Sequence, residues 1–524
     1  MAESLGWFLD AYDHPDDGVV VWILDDSGAR LRLRQDFPVT FYAAGASPRL
    51  RRLWQFIEAQ PIAANLSRQE RRDLFSAEPL VVLAIQVLQA AQQQPLFRKV
   101  TAEFPDLTYY DADLPLALRY AAACGAFSLA RCRHSSRDGQ LTGLEIIDSP
   151  WDLDPPIAPI DILYLEPDQD PAHAPPAHIA IRRVRGVLND SPILYRLPLQ
   201  PERPLLINLR AILKRHDPDL LLTTWGDTWL LAHLMELSRR WHIPLPLNRD
   251  PTRRPSLRRE RTYYSYGQVI YRGPQIHLFG RWHVDRANAM LYDDYGLDGV
   301  YELARVTSLS LQTVARASPG SGISAMQVLT ALRHGILVPW RKQQAERLKS
   351  ANDMLRADQG GLVYQPTIGL HRDVAAVDFI SMYPSIMAHF NISPETVGVD
   401  SPLATHIPQL GLCINQERRG LVPQTLEPLL EKRLALKAQL ACLPQWDPRR
   451  RPYKARASAH KWLLATCFGY LGYKNARFGR IEAHEAVTAY GRDALLSAKE
   501  AAEDLGGQVL HMYVDGLWIQ IPGA

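Results

Sequence analysis

The sequence predicts a multidomain protein that mixes α-helices and β-strands. Its 524 residues correspond to about three domains at the usual ~150 residues per domain. Hydrophobic residues make up 47% and charged residues 22% of the chain, a composition typical of globular proteins. The first part of the chain alternates like β-strands, the middle combines strand and helix patterns, and the last part holds most of the residues that suggest chemistry.

The first region, residues 1–155, is predicted to be β-rich. In "GVVVWILDDSGARLRLRQDF" an Asp-Ser-Gly turn separates two β-prone runs, which is the pattern of a hairpin. A proline-rich break, "DSPWDLDPPIAPI", ends the region. No functional site is assigned here.

The second region, residues 156–340, is predicted to be an α/β domain. It combines strand patterns such as "HIAIRRVRGVL" with helical patterns such as "TWLLAHLMELSRRW", and this alternation is typical of an α/β layer. The stretch "RKQQAERLKSANDML", residues 341–355, is predicted to be a polar linking helix.

The composition argues against several classes of protein. Five cysteines without a C-x-x-C pair argue against a disulfide framework or a zinc knuckle. The start "MAESLGWFLD" is not a signal peptide, and the most apolar stretch, residues 79–91, is too short and too polar to span a membrane. We therefore expect a cytoplasmic protein that does not bind membranes. The net charge of +3 does not by itself indicate an anionic partner.

Three stretches near the C-terminus suggest a reaction. The first is "VAAVDFISMYPSIMAHF", in which an apolar strand ends at Asp378. Ser381, Tyr383 and Pro384 then turn the chain, and a helix is predicted to begin there. A carboxylate at a strand end beside a turn can hold a divalent cation through oxygen, although many strands end in Asp.

The second stretch contains two basic helical segments, "LLEKRLALKAQLA" and "KWLLATCFGYLGYKNARFG". Arg433 and Lys437 are four residues apart and share one helix face, and Lys461 lies on the second segment. A solvated basic face explains the first pair equally well when it is read alone. Three cations on neighbouring helices would suit a triphosphate.

The third stretch is "VLHMYVDGLWIQIPGA", where two apolar runs flank an Asp-Gly pair. This pattern predicts a tight β-hairpin with Asp515 at its tip. Together the three stretches supply what two-metal phosphoryl transfer needs: two carboxylates for ions roughly 4 Å apart, and cations for the leaving group.

These stretches resemble the motifs of family B DNA polymerases in order and spacing. "DFISMYPSI" resembles motif A, "KWLLATCFGYLGY" resembles motif B, and "MYVDGLWIQIPG" resembles motif C. "LLEKRLALK" is similar to the fingers helix before motif B. "DPDLLLTTWGDTWLLAHL" and "GRWHVDRANAMLYDDYGLDGVYELA" are similar to parts of the exonuclease domain.

The resemblance implies a fold of N-terminal domain, exonuclease-type domain, palm and fingers. Residues 1–155 would form the N-terminal domain, and residues 156–340 an RNase H-like exonuclease-type domain. The palm, with an antiparallel sheet, would comprise residues 341–424 and 476–524, and the helical fingers residues 425–475. The implied activity is template-directed addition of dNTPs to the 3′ end of a primer. Primer–template DNA would be the partner, and the enzyme would be associated with the nucleoid.

The resemblance also implies the roles of individual residues. Asp378 and Asp515 would be the catalytic carboxylates, and with the backbone carbonyl of Phe379 they would hold two Mg²⁺ ions, for which Mn²⁺ can substitute. The residues expected to bind the nucleotide are Arg433, Lys437, Lys461, Tyr383, Ser381 and Met382. Among them, Tyr383 sits where the family places a steric gate that excludes a 2′-hydroxyl.

The polymerase motifs depart from the family pattern at several positions. In motif C the first acidic position falls on Tyr513, which we expect to weaken metal binding or restrict its geometry. In motif B the Asn and Tyr positions fall on Ala465 and Phe468. These losses leave open a second interpretation, a catalytically weak or inactive DNA-binding or scaffold subunit. A nucleotide-processing enzyme of another kind is a third alternative.

The exonuclease motifs are degenerate. The first, normally D-I-E, lies in "PIDILYLEPD", where either Asp161 pairs with Leu163 or Tyr164 pairs with Glu166. Both registers lose one carboxylate.

In the second exonuclease motif the catalytic position falls on Leu230, and Asp227 matches an acidic neighbour that is not a metal ligand. The third motif, Y-x-x-x-D, is not found between residues 262 and 345. The sequence therefore predicts an exonuclease-like fold without proofreading. This pattern resembles a proofreading-inactivated branch of the family from archaea and bacteria, linked to damage tolerance, and it favours lesion bypass or repair.

Family members continue beyond motif C into a thumb, and we expect none here. A split polymerase with the thumb on a separate polypeptide, a truncated gene and a minimal form all remain open. The basic clusters at residues 253–261 and from Arg449 are either solvated loops or the lining of a DNA channel.

Overall fold

The N-terminal part of the chain is β-rich, as predicted. The computed structural model describes residues 3–184, 191–265, 268–357 and 359–521. The elements of this part are β1 Ser4–His14, β2 Gly18–Asp25, β3 Arg30–Gln35, β4 Val39–Ala44, α1 Ser47–Glu58, β5 Ala64–Arg71, β6 Leu80–Val87, α2 Ala90–Glu103, β7 Thr108–Tyr110, α3 Leu116–Cys124, β8 Ala130–Arg137 and β9 Gln140–Ile146.

Two sheets make up this part. Strands β1, β2, β3, β9 and β8 close into a barrel, and the order β5-β6-β4-β7 forms a second sheet. The predicted hairpin is β2–β3, and its turn includes Gly28 at a φ of +87°, a backbone region that glycine reaches at little steric cost.

The second part is an α/β layer, again as predicted. Its elements are β10 Ile162–Pro167, β11 His178–Val184, β12 Ile193–Pro198, α4 Glu202–His216, β13 Leu220–Thr223, a π-helical turn Gly226–Leu230, α5 Leu231–Arg240, β14 Ser256–Arg258, β15 Arg261–Ser265, β16 Gln268–Arg272, β17 Gln275–His277, β18 Trp282–Asp285, α6 Tyr292–Thr307, α7 Leu311–Val314 and α8 Pro319–Arg333. The end of the strand predicted in "HIAIRRVRGVL", residues 185–188, lies outside the described residues.

The main sheet of this part has the order β12-β11-β10-β13-β18. Strand β10 runs parallel to β13, and β13 runs parallel to β18. Leu163 and Leu221 face a core that includes residues of α4 and α5, whereas Ile162 and Leu222 face the large central core that includes α6. The backbone of α6 is interrupted at Gly296, whose φ is +59°.

The third part contains a four-stranded antiparallel sheet and three long helices. Its elements are α9 Ala351–Arg356, β19 Val363–Tyr364, β20 Val374–Asp378, α10 Met382–His389, β21 Thr405–His406, β22 Cys413–Ile414, α11 Leu421–Cys442, α12 Arg450–Leu471, α13 Ile481–Asp504, β23 Gln508–Tyr513 and β24 Gly516–Gln520. The sheet order is β19-β23-β24-β20. Buried residues of α10, α13, β23 and β24 share the central core. Residues 522–524 of the stretch resembling motif C lie outside the described residues.

The predicted linking helix over residues 341–355 is largely wrong. Residues 342–350 have no regular secondary structure, and only Ala351–Arg356 is helical. The backbone N–H of Arg347 donates to Glu482, and Lys349 forms an ion pair with Glu485. Both acceptors lie on α13, so the segment is bound along that helix instead of coiling on itself.

A buried ionic cluster joins the second part to the helix pair α11–α12. Glu302 of α6 lies 2.5 Å from Lys432 Nζ of α11 and 2.7 Å from His460 Nε2 of α12. All three side chains are buried. Burial alone would raise the pKa of Glu302, but its bonds to His460 and Lys432 lower that pKa to about 2. The carboxylate is therefore ionised and ties both helices to α6.

Within the described ranges, no helix combines the length and the apolar character needed to cross a bilayer.

Replacing Lys432 with Met should destabilise the fold. The substitution leaves the Glu302 carboxylate buried without its cation, and removing one partner of a buried pair costs about 3 kcal/mol. Thermal unfolding at pH 7 measures the loss, with Lys454→Met on an exposed position of α12 as the matched control. Equal melting temperatures for the two variants would contradict the role given to the cluster.

Candidate active site

The antiparallel pairing of β20 with β24 brings two distant carboxylates together. Asp378 ends β20 and lies opposite Gly516 in the register. The N–H of Phe379 donates to the carbonyl of Asp515 at 2.8 Å. Asp515 follows Val514, which has a φ of +55°, in the two-residue turn between β23 and β24. The predicted hairpin is therefore present, with Val514 and Asp515 at its tip.

The two carboxylates are close enough to interact electrostatically. Partial burial and the negative charge of Asp378 raise the pKa of Asp515. Two neighbouring carboxylates repel each other when no cation is present. Hard divalent cations prefer carboxylate oxygens as ligands. Asp378 and Asp515, with the neighbouring Phe379, are the residues that could hold such an ion.

A cleft of about 390 Å³ connects these carboxylates with three cations. Arg433 and Lys437 reach it from α11, and Lys461 reaches it from α12. Every residue predicted for catalysis, metal binding or nucleotide binding lines this one cleft: Asp378, Phe379, Ser381, Met382, Tyr383, Arg433, Lys437, Lys461 and Asp515.

The packing of α11 against α12 fixes the direction of the cations. Arg433 donates to the carbonyl of Ala457 on α12, which holds the two helices in register at this point. Lys432, one position earlier, points instead into the buried cluster with Glu302. Successive residues of a helix point in different directions. Lys432 therefore contributes to the packing of the helices, whereas Arg433 and Lys437 reach the cleft.

A stack of rings supports Tyr383 in the first turn of α10. Its ring lies 4.6 Å from the ring of Phe468, and Phe468 in turn stacks on His484 of α13 at 3.9 Å and 18°. On the same helix, a Cβ added at Gly491 would approach Tyr383 Cε1 to 3.0 Å. Glycine at position 491 therefore leaves the space that the tyrosine ring occupies.

His484 and Gly491 were missed by the sequence reasoning. Both lie on α13, outside the stretches that resemble the polymerase motifs, and both act through packing between elements. The glycine inside the otherwise helical run "AVTAYGRDALL" was the available signal, because glycine is unfavourable in a helix interior and often marks a close approach.

Tyr513 lies on the same sheet face as Asp378, separated from it by Gly516. The pairs Tyr513↔Gly516 and Gly516↔Asp378 are in register, and residues opposite each other in antiparallel strands project to one side. The Tyr513 ring is 56% exposed and lies beside His511 at 6.3 Å. Its ring is turned toward solvent and His511.

The two possible registers of the first exonuclease motif lie at opposite ends of β10. Asp161 precedes the strand and is bound by Arg30 at 3.3 Å and by Arg183. At the other end, Tyr164 donates its hydroxyl to Glu166 at 2.8 Å. Leu163 is buried in the core beside α4 and α5.

Asp227, in the stretch that resembles the second exonuclease motif, is held in a buried hydrogen-bond network. Arg316 binds Asp227 in a bidentate manner, with its Nε at 2.6 Å and its Nη2 at 2.9 Å. Asn288 adds a bond of 2.9 Å to the same carboxylate. Leu230 is fully buried among leucines. The carboxylate of Asp227 is thus neutralised by an arginine.

The arginines at the two basic clusters make contacts within the protein. Arg253 lies 4.4 Å from the centre of the Phe279 ring. Arg449 pairs with Asp447, Arg450 donates to the carbonyl of Leu443, and Arg451 pairs with Asp298.

Comparison with known proteins agrees with the geometry of the cleft. The model of the family "DNA polymerase family B" matches residues 322–515, which include all the residues of the cleft. DNA polymerase 2 of Saccharolobus solfataricus is 33% identical over 222 residues, which are 42% of this chain and 33% of that one. A DNA polymerase of Archaeoglobus fulgidus is 24% identical over 99% of this chain and 70% of its own length.

Residues 322–515 are thus similar to the family B DNA polymerases. The fold agrees, because the structure of the family B DNA polymerase from the hyperthermophilic archaeon Pyrobaculum calidifontis superposes with a TM-score of 0.73 at 23% identity, over 99% of this chain and 75% of that one.

The chain spans only part of the length of the relatives that it matches. It spans 33% of the Saccharolobus protein, 47% of DNA polymerase 1 of Pyrococcus abyssi and 70% of the Archaeoglobus protein.

Asp515→Asn should slightly stabilise the metal-free protein. The raised pKa of Asp515 means that its ionised form is disfavoured in the folded state, so the penalty exists above that pKa and vanishes below the ordinary value of 3.8. At this exposed position screening limits the gain to under about 1 kcal/mol. Unfolding in EDTA at pH 7 and at pH 4 measures it. A variant that is less stable at pH 7 would show that the two carboxylates do not repel each other.

Proposed function

We propose that this chain is a DNA-directed DNA polymerase that extends a primer 3′ end with dNTPs on a template. The observation that carries the proposal is the single cleft that contains Asp378 and Asp515 together with Arg433, Lys437 and Lys461. Two carboxylates and three cations around one space match the charge pattern of nucleotidyl transfer.

The roles of the side chains follow from their positions. Asp378 and Asp515, with the carbonyl of Phe379, would hold two Mg²⁺ ions, and bound Mg²⁺ activates the attacking hydroxyl and neutralises charge on the phosphate. Arg433, Lys437 and Lys461 would bind the triphosphate oxygens as charge-assisted donors. Their fixed placement on two packed helices reduces the reorganisation needed when negative charge develops.

Selection of the sugar is assigned to Tyr383. Its ring is held by Phe468 on one side, and Gly491 leaves room for it on α13. A ring fixed in this way can exclude a 2′-hydroxyl by steric contact, whereas a mobile ring would move aside and admit it. Ser381 and Met382 complete the nucleotide-binding stretch before and within the first turn of α10.

We also propose that the exonuclease-like part does not proofread. One observation supports this: Leu230 stands in an apolar core where the family pattern has a catalytic carboxylate. A polymerase without proofreading suits lesion bypass or repair better than bulk replication. A second polypeptide that supplies a thumb, and an association with the nucleoid, stay predictions.

A catalytically weak or inactive DNA-binding or scaffold subunit is the second candidate. Tyr513 at the first acidic position of motif C and Ala465 in motif B favour it, because both remove polar groups near the cleft. The presence of both carboxylates and all three cations in one cleft favours the enzyme.

Primer extension with Mg²⁺ should separate the two candidates. We expect wild-type protein to extend a primed template, and Asp378→Ala or Asp515→Ala to lose at least about 10³-fold in rate, because each removes half of the carboxylate pair. Asp504→Ala, at an exposed position at the end of α13, is the matched control and should extend normally.

If wild type extends no faster than the two cleft variants, the scaffold interpretation replaces the enzyme. The same assay on a template with an abasic site tests the bypass role. A complete stop opposite the lesion, with full extension on the undamaged template, would remove that role and leave the polymerase.

Single-stranded DNA labelled at its 5′ end should remain intact when incubated with the protein and Mg²⁺ or Mn²⁺. The physical reason is that Leu230, buried in an apolar core, stands where the family pattern has a metal-binding carboxylate. Gel analysis over several hours measures shortening. Robust shortening by wild type would contradict the prediction.

A further inference from the structure

A second cleft, of about 700 Å³, lies between the exonuclease-like sheet, α6 and the beginning of α12. We call it the α6–α12 cleft. One wall is the linker from Pro155 to Ile160, and the opposite wall includes Pro448, Arg451 and Arg456. Its volume is in the range of pockets that hold nucleotide-sized ligands. It is lined by none of the residues of the polymerase cleft.

The α6–α12 cleft is lined by buried polar atoms that lack hydrogen-bond partners. Among the described residues these are Oη of Tyr301, Oε2 of Glu302, and the Nε atoms of Arg286 and Arg305. Glu302 is 1% and Arg305 is 4% exposed. Leaving such an atom unpaired costs about 1–3 kcal/mol, and native proteins keep few of them. A ligand with complementary donors and acceptors would remove this cost.

Two arginines stand at the outer end of this cleft, where a phosphate would compete with a carboxylate for one of them. Arg451 lies in the first turn of α12 and pairs with Asp298 at 3.3 Å, and a second helical segment begins after Gly296 of α6. Helix N-termini carry partial positive charge that attracts phosphate. Arg456 lies one turn further along α12. Deeper in the cleft, the negative charge of Glu302 is balanced by Lys432, with Arg456 4.0 Å from its second oxygen.

The inner end of the cleft is apolar with a polar floor. Ile160, Ile162 and Leu222 provide flat aliphatic surface. On the floor, Oε2 of Glu302 accepts no hydrogen bond but lies 4.0 Å from Nε of Arg456, and Nε of Arg305 is a donor without an acceptor. A heterocyclic base offers an apolar face together with donors and acceptors at its edge.

We propose that the α6–α12 cleft binds a nucleotide, with its phosphate at Arg451 and Arg456 and its base against Ile162 and Leu222. The edge of the base pairs with Glu302 and Arg305. The nucleotide is either free or one unit of a single DNA strand, since both present the same phosphate and base. Arg456 and Lys461 lie on the same helix about 7.5 Å apart along its axis, so α12 connects this site with the polymerase cleft.

Binding of deoxyadenosine monophosphate to the full chain, measured by calorimetry in EDTA, tests the proposal. A Lys437→Ala, Lys461→Ala background removes binding at the polymerase cleft. In that background, Ala158→Trp fills the α6–α12 cleft without changing its charge, and Arg451→Ala removes an exposed cation. We expect each to weaken binding at least about 10-fold. Arg203→Ala, an exposed position on α4, is the matched control and should bind as the background does.

The probes define which part of the ligand is recognised and where it comes from. Deoxyribose 5-phosphate, which lacks the base, should bind at least about 10-fold more weakly than the nucleotide. A short oligo(dA) that binds more tightly and displaces the nucleotide would identify a DNA strand as the source, and equal affinities would identify the free nucleotide. Unchanged nucleotide binding in both Ala158→Trp and Arg451→Ala, or no binding to the background, would overturn the proposal. Neither result depends on whether the protein extends primers.

Discussion

The register between β20 and β24 is the constraint on which the active site depends. It sets Asp378 opposite Gly516 and allows the N–H of Phe379 to bind the carbonyl of Asp515. A shift of one residue would turn Asp378 to the other face of the sheet. The buried side chains of Met512 and Leu517 secure the register from the opposite face, because any slip would expose them. Apolar packing beneath the sheet thus determines where two charges meet above it.

The cations of the cleft depend on a different set of contacts. Lys432 and His460 bind Glu302 of α6, and Arg433 bonds to the backbone of α12. These bonds orient the helix pair, so that Lys437 and Lys461 project toward the carboxylates. The second oxygen of Glu302 accepts no hydrogen bond and lies 4.0 Å from Nε of Arg456 at the floor of the α6–α12 cleft. One ionic cluster therefore supports the helices behind the cleft of Asp378 and Asp515 and also lines the second cleft.

Local sequence was sufficient to predict the elements that carry the site. An apolar strand ending in Asp378 and a basic helical spacing each have a short-range physical cause, and both are present. The hairpin predicted from Asp515-Gly516 is also present, but its turn residues are Val514 and Asp515, and Gly516 begins β24. The linking helix failed because Arg347 and Lys349 bind α13, which lies more than a hundred residues away. The same limit applies to Asp161, which pairs with Arg30 of the N-terminal barrel, and to His484 and Gly491, whose effect on Tyr383 passes between helices. Such contacts are set by tertiary packing, which no local pattern encodes.

The central claim is that Asp378 and Asp515 form one site for divalent cations. Titration of the protein with Mn²⁺, followed by the electron paramagnetic resonance of the free ion, measures this directly and requires no DNA or turnover. The account predicts that wild type binds Mn²⁺ and that Asp378→Asn and Asp515→Asn each weaken binding at least about 10-fold, while Asp504→Asn does not. Equal Mn²⁺ affinity for wild type and both cleft variants would contradict it.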